Sequence, residues 1–170
     1  MLSEFRQRAY AKVNFGLNVL PRREDGFHNL ESIFQTVDLY DELIVRKQES
    51  ETGHKSEGSR CQVICRDMEL PEENTLTKAY EAFFKASGEE PFDIQVELKK
   101  GIPSGGGMGG GSSDAAALIR ILERMTSKKL SKEQLFQVAA FVGSDVFFFT
   151  ECFENGTGCA LVWGRGEFVQ

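Results

Sequence analysis

The sequence predicts an α+β fold, in which strands and helices follow one another irregularly along one chain. Some stretches alternate apolar and polar residues, which is the two-residue period of a β-strand. Other stretches repeat apolar residues every three or four positions, as an amphipathic helix does. Because these elements do not form a regular strand–helix–strand series, the pattern favours α+β over a parallel α/β architecture.

Length, composition and charge are those of an ordinary globular domain. The chain has 170 residues, of which 41% are hydrophobic, enough for the core of one domain. A net charge of −6 argues against a nucleic-acid partner, which would require a basic patch. No apolar run is long enough to span a membrane, and the N-terminus lacks a signal-peptide core. We therefore expect a cytoplasmic protein without a membrane partner, and the sequence specifies no oligomeric state.

The predicted strands cover 10–20, 30–40, 43–46, 61–66, 92–100 and 159–163. The second and third are expected to form a hairpin that turns at Asp41-Glu42. A polar, aperiodic stretch over 48–60 predicts a surface loop. Gly-containing segments at 21–26 and 164–167 predict turns.

The first strand has one polar and one apolar face. Lys12 and Asn14 project together from the polar face. The apolar face consists of Val13, Phe15, Leu17 and Val19. After the turn that follows this strand, Phe27 and His28 suit either a planar ligand or a buried structural pair.

Two helices flank the glycine-rich centre of the chain. The first is expected to begin at Asn74 or Thr75, because either side chain can cap a helix. Its apolar stripe ends near Ser87-Gly88. The second helix follows the glycine-rich segment and runs to about Met125.

A third helix begins with the capping box formed by Ser131 and Gln134 and stops at Gly143. The segment 144–149 then places Asp145 beside a run of phenylalanines. A carboxylate next to an apolar wall is a candidate for catalysis or for simple capping.

The four cysteines are Cys61, Cys65, Cys152 and Cys159. Cys61 and Cys65 share one face of a predicted strand. Their spacing differs from that of paired zinc ligands, and neither histidine is near them in sequence. We expect reduced thiols rather than a zinc site.

The segment most indicative of function follows Ile102. It consists of Pro103, Ser104, Gly105, Gly106, Gly107, Met108, Gly109, Gly110, Gly111, Ser112 and Ser113. So many glycines make a loop costly to order, which favours a ligand that contacts the backbone. N–H groups turned toward one anion, next to the start of a helix, predict a phosphate site. The alternative is a flexible linker.

This segment differs from the two common glycine-rich nucleotide motifs. A P-loop would have a lysine directly before Ser112, and there is none. Gly105, Gly107 and Gly110 satisfy Gly-x-Gly-x-x-Gly, but a tract of six glycines does so almost automatically. The dinucleotide motif also requires an acid about twenty residues on, where 128–131 reads as a helix connection. A phosphate loop of a third kind remains.

Phosphoryl transfer needs positioning, charge neutralisation and a group that accepts a proton. Asp145 is able to accept a hydroxyl proton, and Lys12 is able to hold the acceptor and offset developing charge. Ser112 and Ser113 are able to reach a phosphate or its Mg²⁺. Taken alone, each of these residues also has a structural interpretation, as a surface lysine or a helix cap.

Residues 103–117 resemble the phosphate loop of the GHMP kinase superfamily, which includes galactokinase, homoserine kinase and mevalonate kinase. The blocks 11–17, 22–28, 34–41 and 143–146 resemble one branch of it, in the same order along the chain. That branch is the 4-diphosphocytidyl-2-C-methyl-D-erythritol kinases of non-mevalonate isoprenoid precursor biosynthesis. Jointly the blocks span most of the chain.

The resemblance implies ATP-dependent phosphorylation of the 2-hydroxyl of a cytidine diphosphate-linked methylerythritol, with ATP and Mg²⁺ as cofactors. It implies that Asp145 is the catalytic base and Lys12 its partner. It also implies that Asn14, Phe27 and His28 bind the substrate, with Phe27 stacking on the cytosine.

The same resemblance implies that the glycine loop holds the ATP phosphates and that Asn74 and Lys100 flank the adenine. The implied fold is the GHMP N-terminal domain, like domain 2 of ribosomal protein S5, over 1–170.

Two departures stand out: Phe147 replaces a usual proline, and the family's C-terminal domain is absent from this chain. We therefore expect weak or no turnover from these residues alone. The alternatives are a GHMP kinase of another small alcohol and a nucleotide-binding domain without catalysis.

Overall fold

The computed structural model describes residues 4–22, 28–48, 60–155, 158–164 and 168–170. Within these ranges, the strands are β1 (Glu4–Arg22), β2 (His28–Lys47), β3 (Cys61–Cys65), β4 (Ile94–Lys99), β5 (Cys159–Gly164) and β6 (Phe168–Val169). The helices are α1 (Thr75–Ser87), α2 (Gly110–Thr126), α3 (Lys132–Val142) and α4 (Asp145–Asn155). The α+β prediction is confirmed. Phe27 and most of the predicted 48–60 loop and of the two predicted turns lie outside the described residues.

Strand β2 is the centre of the sheet. β1 pairs antiparallel with it over nearly its whole length, from Glu4 opposite Arg46 to Arg22 opposite His28. The other edge of β2 pairs antiparallel with β4 at one end and with β5 at the other. β3 runs parallel to β4, and β6 runs antiparallel to β5. β2 therefore connects the two parts of the sheet.

β2 continues through Asp41 and Glu42, so the predicted hairpin turn at these residues is wrong. Both residues remain paired with β1. The Asp41 side chain is fully buried, and its Oδ1 accepts hydrogen bonds from the N–H groups of Gly101 at 2.7 Å and Ile102 at 2.8 Å. A buried carboxylate is tolerated inside a strand when its lone pairs are satisfied in this way. The local turn preference of an Asp-Glu pair is overridden by these tertiary contacts.

Helices α1 and α3 begin at the predicted caps. The Asn74 side chain accepts hydrogen bonds from the N–H groups of Leu76 at 3.0 Å and Thr77 at 3.2 Å, and the Asn74 N–H donates in return to Thr77 Oγ1. Ser131 and Gln134 form the same reciprocal arrangement at the start of α3. Local side-chain bonds therefore fix where both helices start.

The phenylalanine run at 147–149 lies in helix α4, which the sequence pattern does not predict. All three rings are buried, so no one-sided apolar stripe marks the helical period. Phe148 meets Phe34 of β2 edge to face, with ring centroids 5.3 Å apart. Phe147 contacts Phe136 of α3, with centroids 4.8 Å apart. α4 is enclosed on more than one side, and a buried run of this kind resembles a strand in sequence.

One hydrophobic core joins the sheet to all four helices. Many of its fully buried members come from the inward positions of β2 and β4 and from the apolar stripes of α1 and α2. They include Leu43, Val45, Val96, Leu76, Phe83, Leu118, Ile119 and Leu122. This core holds the beginnings of α1 and α2 against the sheet, where the candidate site lies.

The opposite face of β1, β2 and β5 carries an exposed apolar row. Phe15, Ile33 and Leu161 are register partners across the three strands and are 58%, 44% and 47% exposed. The apolar side predicted for the first strand over 13–19 is therefore largely exposed, whereas Lys12 on its polar side is buried.

Candidate active site

The glycine-rich segment forms a tight loop that leads directly into α2. Gly105, Gly107 and Gly109 have φ values of +76°, +68° and +72°, a region that strains any residue with a Cβ. α2 begins at Gly110, so the last glycines and both serines belong to the helix. Gly109, the residue before the helix, supplies no side-chain cap. The first N–H groups of α2 are therefore available to an anion.

The loop lines a cleft of about 220 Å³ between the starts of α1 and α2. A Cβ placed on Gly111 would lie 3.2 Å from Thr75 Oγ1, which shows how closely the two helix starts approach. The positive ends of two helix dipoles at one cleft suit a bound phosphate. The predicted nucleotide residues that line it are Asn74, Lys100, Pro103, Gly105, Gly106, Gly107, Met108, Gly109, Gly110 and Gly111.

Lys12 and Asp145 come together although they are far apart in sequence. Lys12 Nζ lies 3.3 Å from Asp145 Oδ2, and the side chains are 6% and 28% exposed. The ammonium also donates to Asn14 Oδ1 at 2.7 Å and lies 4.5 Å from the centre of the Phe34 ring. A carboxylate, an amide oxygen and an aromatic face together compensate the buried positive charge. The carboxylate itself stands at the first residue of α4.

A register change between β1 and β2 accounts for the burial of Lys12. Tyr10 pairs with Tyr40, but Lys12 pairs with Thr36, so two steps on β1 correspond to four on β2. The surplus residues form an irregularity of the bulge type, which re-aims neighbouring side chains. Simple alternation from sequence does not anticipate this change.

The glycine loop is attached to the same lysine. The backbone N–H of Lys12 donates to the carbonyl oxygen of Met108 at 2.9 Å. A Cβ on Gly109 would lie 2.9 Å from the Phe149 ring and 3.2 Å from Lys12 Cγ. Loop, lysine and helix α4 therefore pack as one unit, and the loop has a fixed position relative to Asp145.

The two serines after the loop have different surroundings. Ser113 is fully buried and donates to the carbonyl oxygen of Tyr10 at 2.7 Å, so its hydroxyl joins α2 to β1. The phosphate contact predicted for Ser113 stays a prediction. Ser112 is partly exposed, and a Cβ on Gly143 would lie 3.5 Å from its Oγ. Ser112 is thus the serine that faces the segment carrying Asp145.

Asn74 and Lys100 line the cleft but also make internal bonds. The Asn74 side chain caps α1 and donates to the Pro71 carbonyl oxygen at 3.0 Å. Lys100 Nζ donates to Asp41 Oδ2 and, at 3.2 Å, to Asp114 Oδ2. Both residues therefore help to build the cleft wall.

Asp41 and Asp114 were not identified from the sequence as site residues. Burial raises the pKa of the Asp114 carboxyl to about 7, although Lys100 opposes the shift. Burial lowers the pKa of Lys100, but the charges of Asp114 and Asp41 outweigh it and the pKa is raised overall. The sequence contains a signal for both acids, because each lies at a position where the pattern expects a buried apolar residue. Asp41 interrupts the buried alternation of β2, and Asp114 stands four residues before Leu118 on the buried stripe of α2.

The predicted substrate residues are only partly placed. Asn14 is exposed and contacts Lys12. The backbone of His28 opens β2 opposite Arg22, at the hairpin end of the β1–β2 pair. Phe27 lies outside the described residues.

Known proteins are similar to this chain in sequence and in fold. The family described as GHMP kinases N terminal domain matches residues 74–152, a range that includes the glycine loop and Asp145. The 4-diphosphocytidyl-2-C-methyl-D-erythritol kinase of Thermotoga maritima is 44% identical over 162 residues, which are 95% of this chain and 53% of that protein. The chain has the fold of the GHMP kinase N-terminal domain.

Solved GHMP kinase structures agree with this fold. A crystal structure of 4-(cytidine 5'-diphospho)-2C-methyl-D-erythritol kinase superposes with a TM-score of 0.76 at 33% identity, covering 98% of this chain and 54% of that one. The mevalonate kinase of Methanococcus jannaschii, with a TM-score of 0.65 at 12% identity, shares the fold alone. It is covered over 55% of its length, and this chain over 99%. The chain spans about half the length of the curated relatives it matches.

The described residues also bear on membrane insertion and on metal binding. None of the helices described there has the length and apolar character needed to cross a membrane. Among these residues, no three His, Cys, Asp or Glu side chains are grouped so as to hold a metal ion. Cys65 and Cys159 are free thiols.

Proposed function

We propose that this chain is the nucleotide-binding, N-terminal domain of a kinase, extending over 1–170. The kinase transfers the γ-phosphate of ATP to the 2-hydroxyl of 4-diphosphocytidyl-2-C-methyl-D-erythritol. The observation that carries the proposal is the 3.3 Å contact between Lys12 and Asp145, beside a glycine loop bonded to Lys12. Similarity to 4-diphosphocytidyl-2-C-methyl-D-erythritol kinases supports the choice of substrate.

Asp145 is the proton acceptor in this proposal. As the proton leaves the 2-hydroxyl for the carboxylate, the hydroxyl oxygen forms a bond to the γ-phosphorus. The bond from that phosphorus to the β–γ bridging oxygen breaks, and ADP leaves with its electrons. Lys12 lies against the same carboxylate and offsets the negative charge of the transferring group.

The nucleotide phosphates are held by backbone groups rather than by a lysine of the P-loop type. The cleft is lined by the N–H groups between Gly105 and Ser112. The positive dipole ends of α1 and α2 lie at the same cleft. The adenine is placed near Asn74 and Lys100, which line the same cleft. This assignment explains why the loop needs glycine at three left-handed positions.

Mg²⁺ fits this site as an ion carried mainly by the nucleotide. Mg²⁺ usually keeps several waters and binds phosphates plus one or two protein oxygens, so a grouped set of acids is not required. Ser112, whose hydroxyl faces the segment that leads to Asp145, and Asp145 itself are the residues that would hold it. Bound with the nucleotide, the ion would neutralise phosphate charge.

The acceptor is assigned to the side of Lys12 that carries Asn14, together with Phe27 and His28. Asn14 is exposed and directly bonded to the lysine, which makes it a group that a hydroxylated substrate meets first. Because the chain spans about half of its relatives, residues beyond the matched region are expected to complete the acceptor site.

The nucleotide half of the proposal is tested by calorimetric titration of the chain with Mg·ATP. Transfer to 4-diphosphocytidyl-2-C-methyl-D-erythritol is followed in single turnover with the chain in excess over radiolabelled ATP. Asp145→Asn should bind ATP within about twofold of the wild type and lower transfer by about 10²-fold or more, as expected for loss of a general base. Glu133→Gln, an exposed charge change in α3, is the matched control and should leave both values unchanged.

Two outcomes would overturn the proposal: a chain that binds no ATP, or an Asp145→Asn variant with undiminished transfer. Where transfer by the chain alone is below detection, the same variants are measured after fusion to the part of the Thermotoga maritima relative beyond the match. Homoserine and mevalonate are assayed in parallel. Faster transfer to either of them would replace the substrate assignment.

A further inference from the structure

Phe34 of β2 lies against the proposed catalytic lysine, and the proposed transfer steps do not use it. Its side chain is 2% exposed, and the Lys12 ammonium lies 4.5 Å from the centre of its ring. This distance is within the range of a cation–π interaction, in which the negative face of an aromatic ring attracts a cation. The ring therefore belongs to the surroundings of Lys12 as well as to the hydrophobic core.

The same ring packs against the helix that carries the proposed catalytic base. Phe148 of α4 meets Phe34 with ring centroids 5.3 Å apart and an angle of 73° between the ring planes. Asp145 is the first residue of α4 and stands three residues before Phe148. Both members of the Lys12–Asp145 pair are thus attached to one ring, the lysine through its charge and the aspartate through its helix.

The sheet fixes this ring relative to Lys12. Asn14 of β1 and Phe34 of β2 are register partners, so their side chains lie on the same face of the sheet. Asn14 Oδ1 accepts a hydrogen bond from Lys12 Nζ at 2.7 Å. On its other edge, Phe34 pairs with Ala160 of β5. Because β2 is held on both sides at this point, the ring and the amide keep a constant separation from the lysine.

A ring face differs chemically from a second acid in this position. It attracts the ammonium without accepting a directed hydrogen bond and without adding a formal charge. The charges of Lys12 and Asp145 cancel, whereas a second carboxylate would leave a net negative charge that repels nucleotide phosphates. The ring therefore stabilises the buried charge of Lys12 and leaves the site open to an anionic group.

We infer that Phe34 is a positioning residue of the proposed kinase, whose ring holds the Lys12 ammonium beside Asp145, where the transferring phosphoryl group meets it. This role rests on the proposed function. Phe34 lies outside the nucleotide cleft, so it acts through Lys12 and not on the nucleotide directly. A weaker ring face lowers the fraction of molecules in which the ammonium is in place, and the rate of transfer falls with that fraction.

Ring fluorination is the sharpest perturbation, because it weakens the attraction of the ring face for a cation and changes the size of the ring very little. Phe34 is replaced, by nonsense suppression, with phenylalanines that carry one, two or three ring fluorines. Single-turnover transfer, measured in the same protein as for Asp145→Asn, should fall stepwise and by about three- to tenfold for three fluorines. Mg·ADP should bind within about twofold of the wild type throughout, because Phe34 lies outside the cleft.

Phe83 of α1 is the matched control. It is fully buried, and its ring meets that of Phe84 with centroids 5.3 Å apart, the same separation as between Phe34 and Phe148. The cation–π contacts of the described residues involve other rings, so fluorination of Phe83 perturbs packing alone. The same three fluorinated residues at this position should leave transfer within about twofold of the wild type.

A double-mutant cycle with Lys12→Met measures the ring contact without any assay of transfer. With lysine at position 12, three fluorines on Phe34 should lower the urea midpoint of the 170-residue chain. With methionine at position 12, the same fluorination should leave the midpoint unchanged or raise it, because no cation is present to be released. Equal downward shifts in the two backgrounds would show that ring and ammonium are not coupled, and would overturn the inference.

The outcomes also separate the role of Phe34 from the proposed function. Transfer that does not respond to fluorine at Phe34, or that falls equally with fluorine at Phe83, overturns the role of the ring. The proposed function then stands, provided that Asp145→Asn still abolishes transfer. A wild type that neither binds ATP nor transfers phosphate refutes the proposed function and the role of Phe34 with it. If three fluorines prevent folding, the step from none to one fluorine decides.

Discussion

Replacing Gly109 with alanine tests whether the glycine loop and Lys12 are positioned as one unit. Gly109 has a φ of +72° and immediately precedes α2. A Cβ there would lie 2.9 Å from the buried Phe149 ring and 3.2 Å from Lys12 Cγ. The substitution therefore combines a strained backbone with two tight contacts, one of which involves the lysine that faces Asp145.

The size of the effect is the sum of two contributions. A residue with a Cβ in the left-handed region costs about 1–2 kcal/mol. Moving a buried ring and a packed methylene away from an added atom costs about 1–3 kcal/mol more. Gly109→Ala should therefore lower the free energy of unfolding by about 2–5 kcal/mol. Gly107 has a φ of +68° with no atom within 4 Å of an added Cβ, so Gly107→Ala should show only the first contribution.

Urea denaturation of both variants measures this difference, and Mg·ATP titration of the same samples measures its effect on the loop. We expect Gly109→Ala to be less stable than Gly107→Ala by about 1–3 kcal/mol, and to lose more transfer activity because Lys12 is displaced. Equal stability of the two variants would refute the claim that loop, lysine and α4 pack as one unit. Unaltered transfer in a destabilised Gly109→Ala would refute the link between packing and catalysis.

Three further predictions concern other parts of the fold. The pKa of Asp114 is about 7 in the folded chain and about 3.9 in an unfolded one, so the free energy of unfolding falls as pH rises through that window. In melting curves, the melting temperature of Asp114→Asn should therefore rise relative to that of the wild type toward pH 8 but not at pH 4. Burial raises the pKa of the Cys61 thiol to about 12, so iodoacetamide at pH 8 should modify exposed Cys159 and spare Cys61. Peptide mass spectrometry measures the labelling of each thiol, and equal labelling of the two would contradict this prediction. Phe147→Pro removes the contact with Phe136 and the bond from the Phe147 N–H to the Ser144 carbonyl oxygen, but a first helical turn accepts proline. Urea titration should show a loss of about 2–4 kcal/mol with helical circular dichroism retained, and a loss below about 1 kcal/mol would count against the ring contact.

Local signals were sufficient for much of the fold. Ser131 and Gln134 form the capping box that their spacing predicts, and Asn74 caps α1. These predictions succeeded because the bonds involved join residues within one turn. The predicted strands were also found, although β2 is one strand where two were expected.

The missed features depend on contacts that are distant in sequence. Asp41 remains in a strand because backbone groups sixty residues further on satisfy it, which no local preference encodes. Lys12 is buried because two strands change register beside it. All three phenylalanines at 147–149 are buried within one helix, and such a run carries no periodic signal. The glycine loop and the Lys12–Asp145 pair were nevertheless indicated by the resemblance to a known family.

The bond between Lys12 and Met108 also has a consequence for the order in which the chain acquires its structure. The hydrogen bond between Ser113 and Tyr10 joins residues 103 positions apart in sequence. The bond between Lys12 and Met108 spans a stretch of similar length. Contacts of such long range form late, because the intervening chain must first be ordered. During synthesis from the N-terminus, the β1–β2 ribbon is made long before the loop that binds to it. The nucleotide of the proposed function is therefore expected to stabilise the finished domain by mass action rather than to guide its early folding steps.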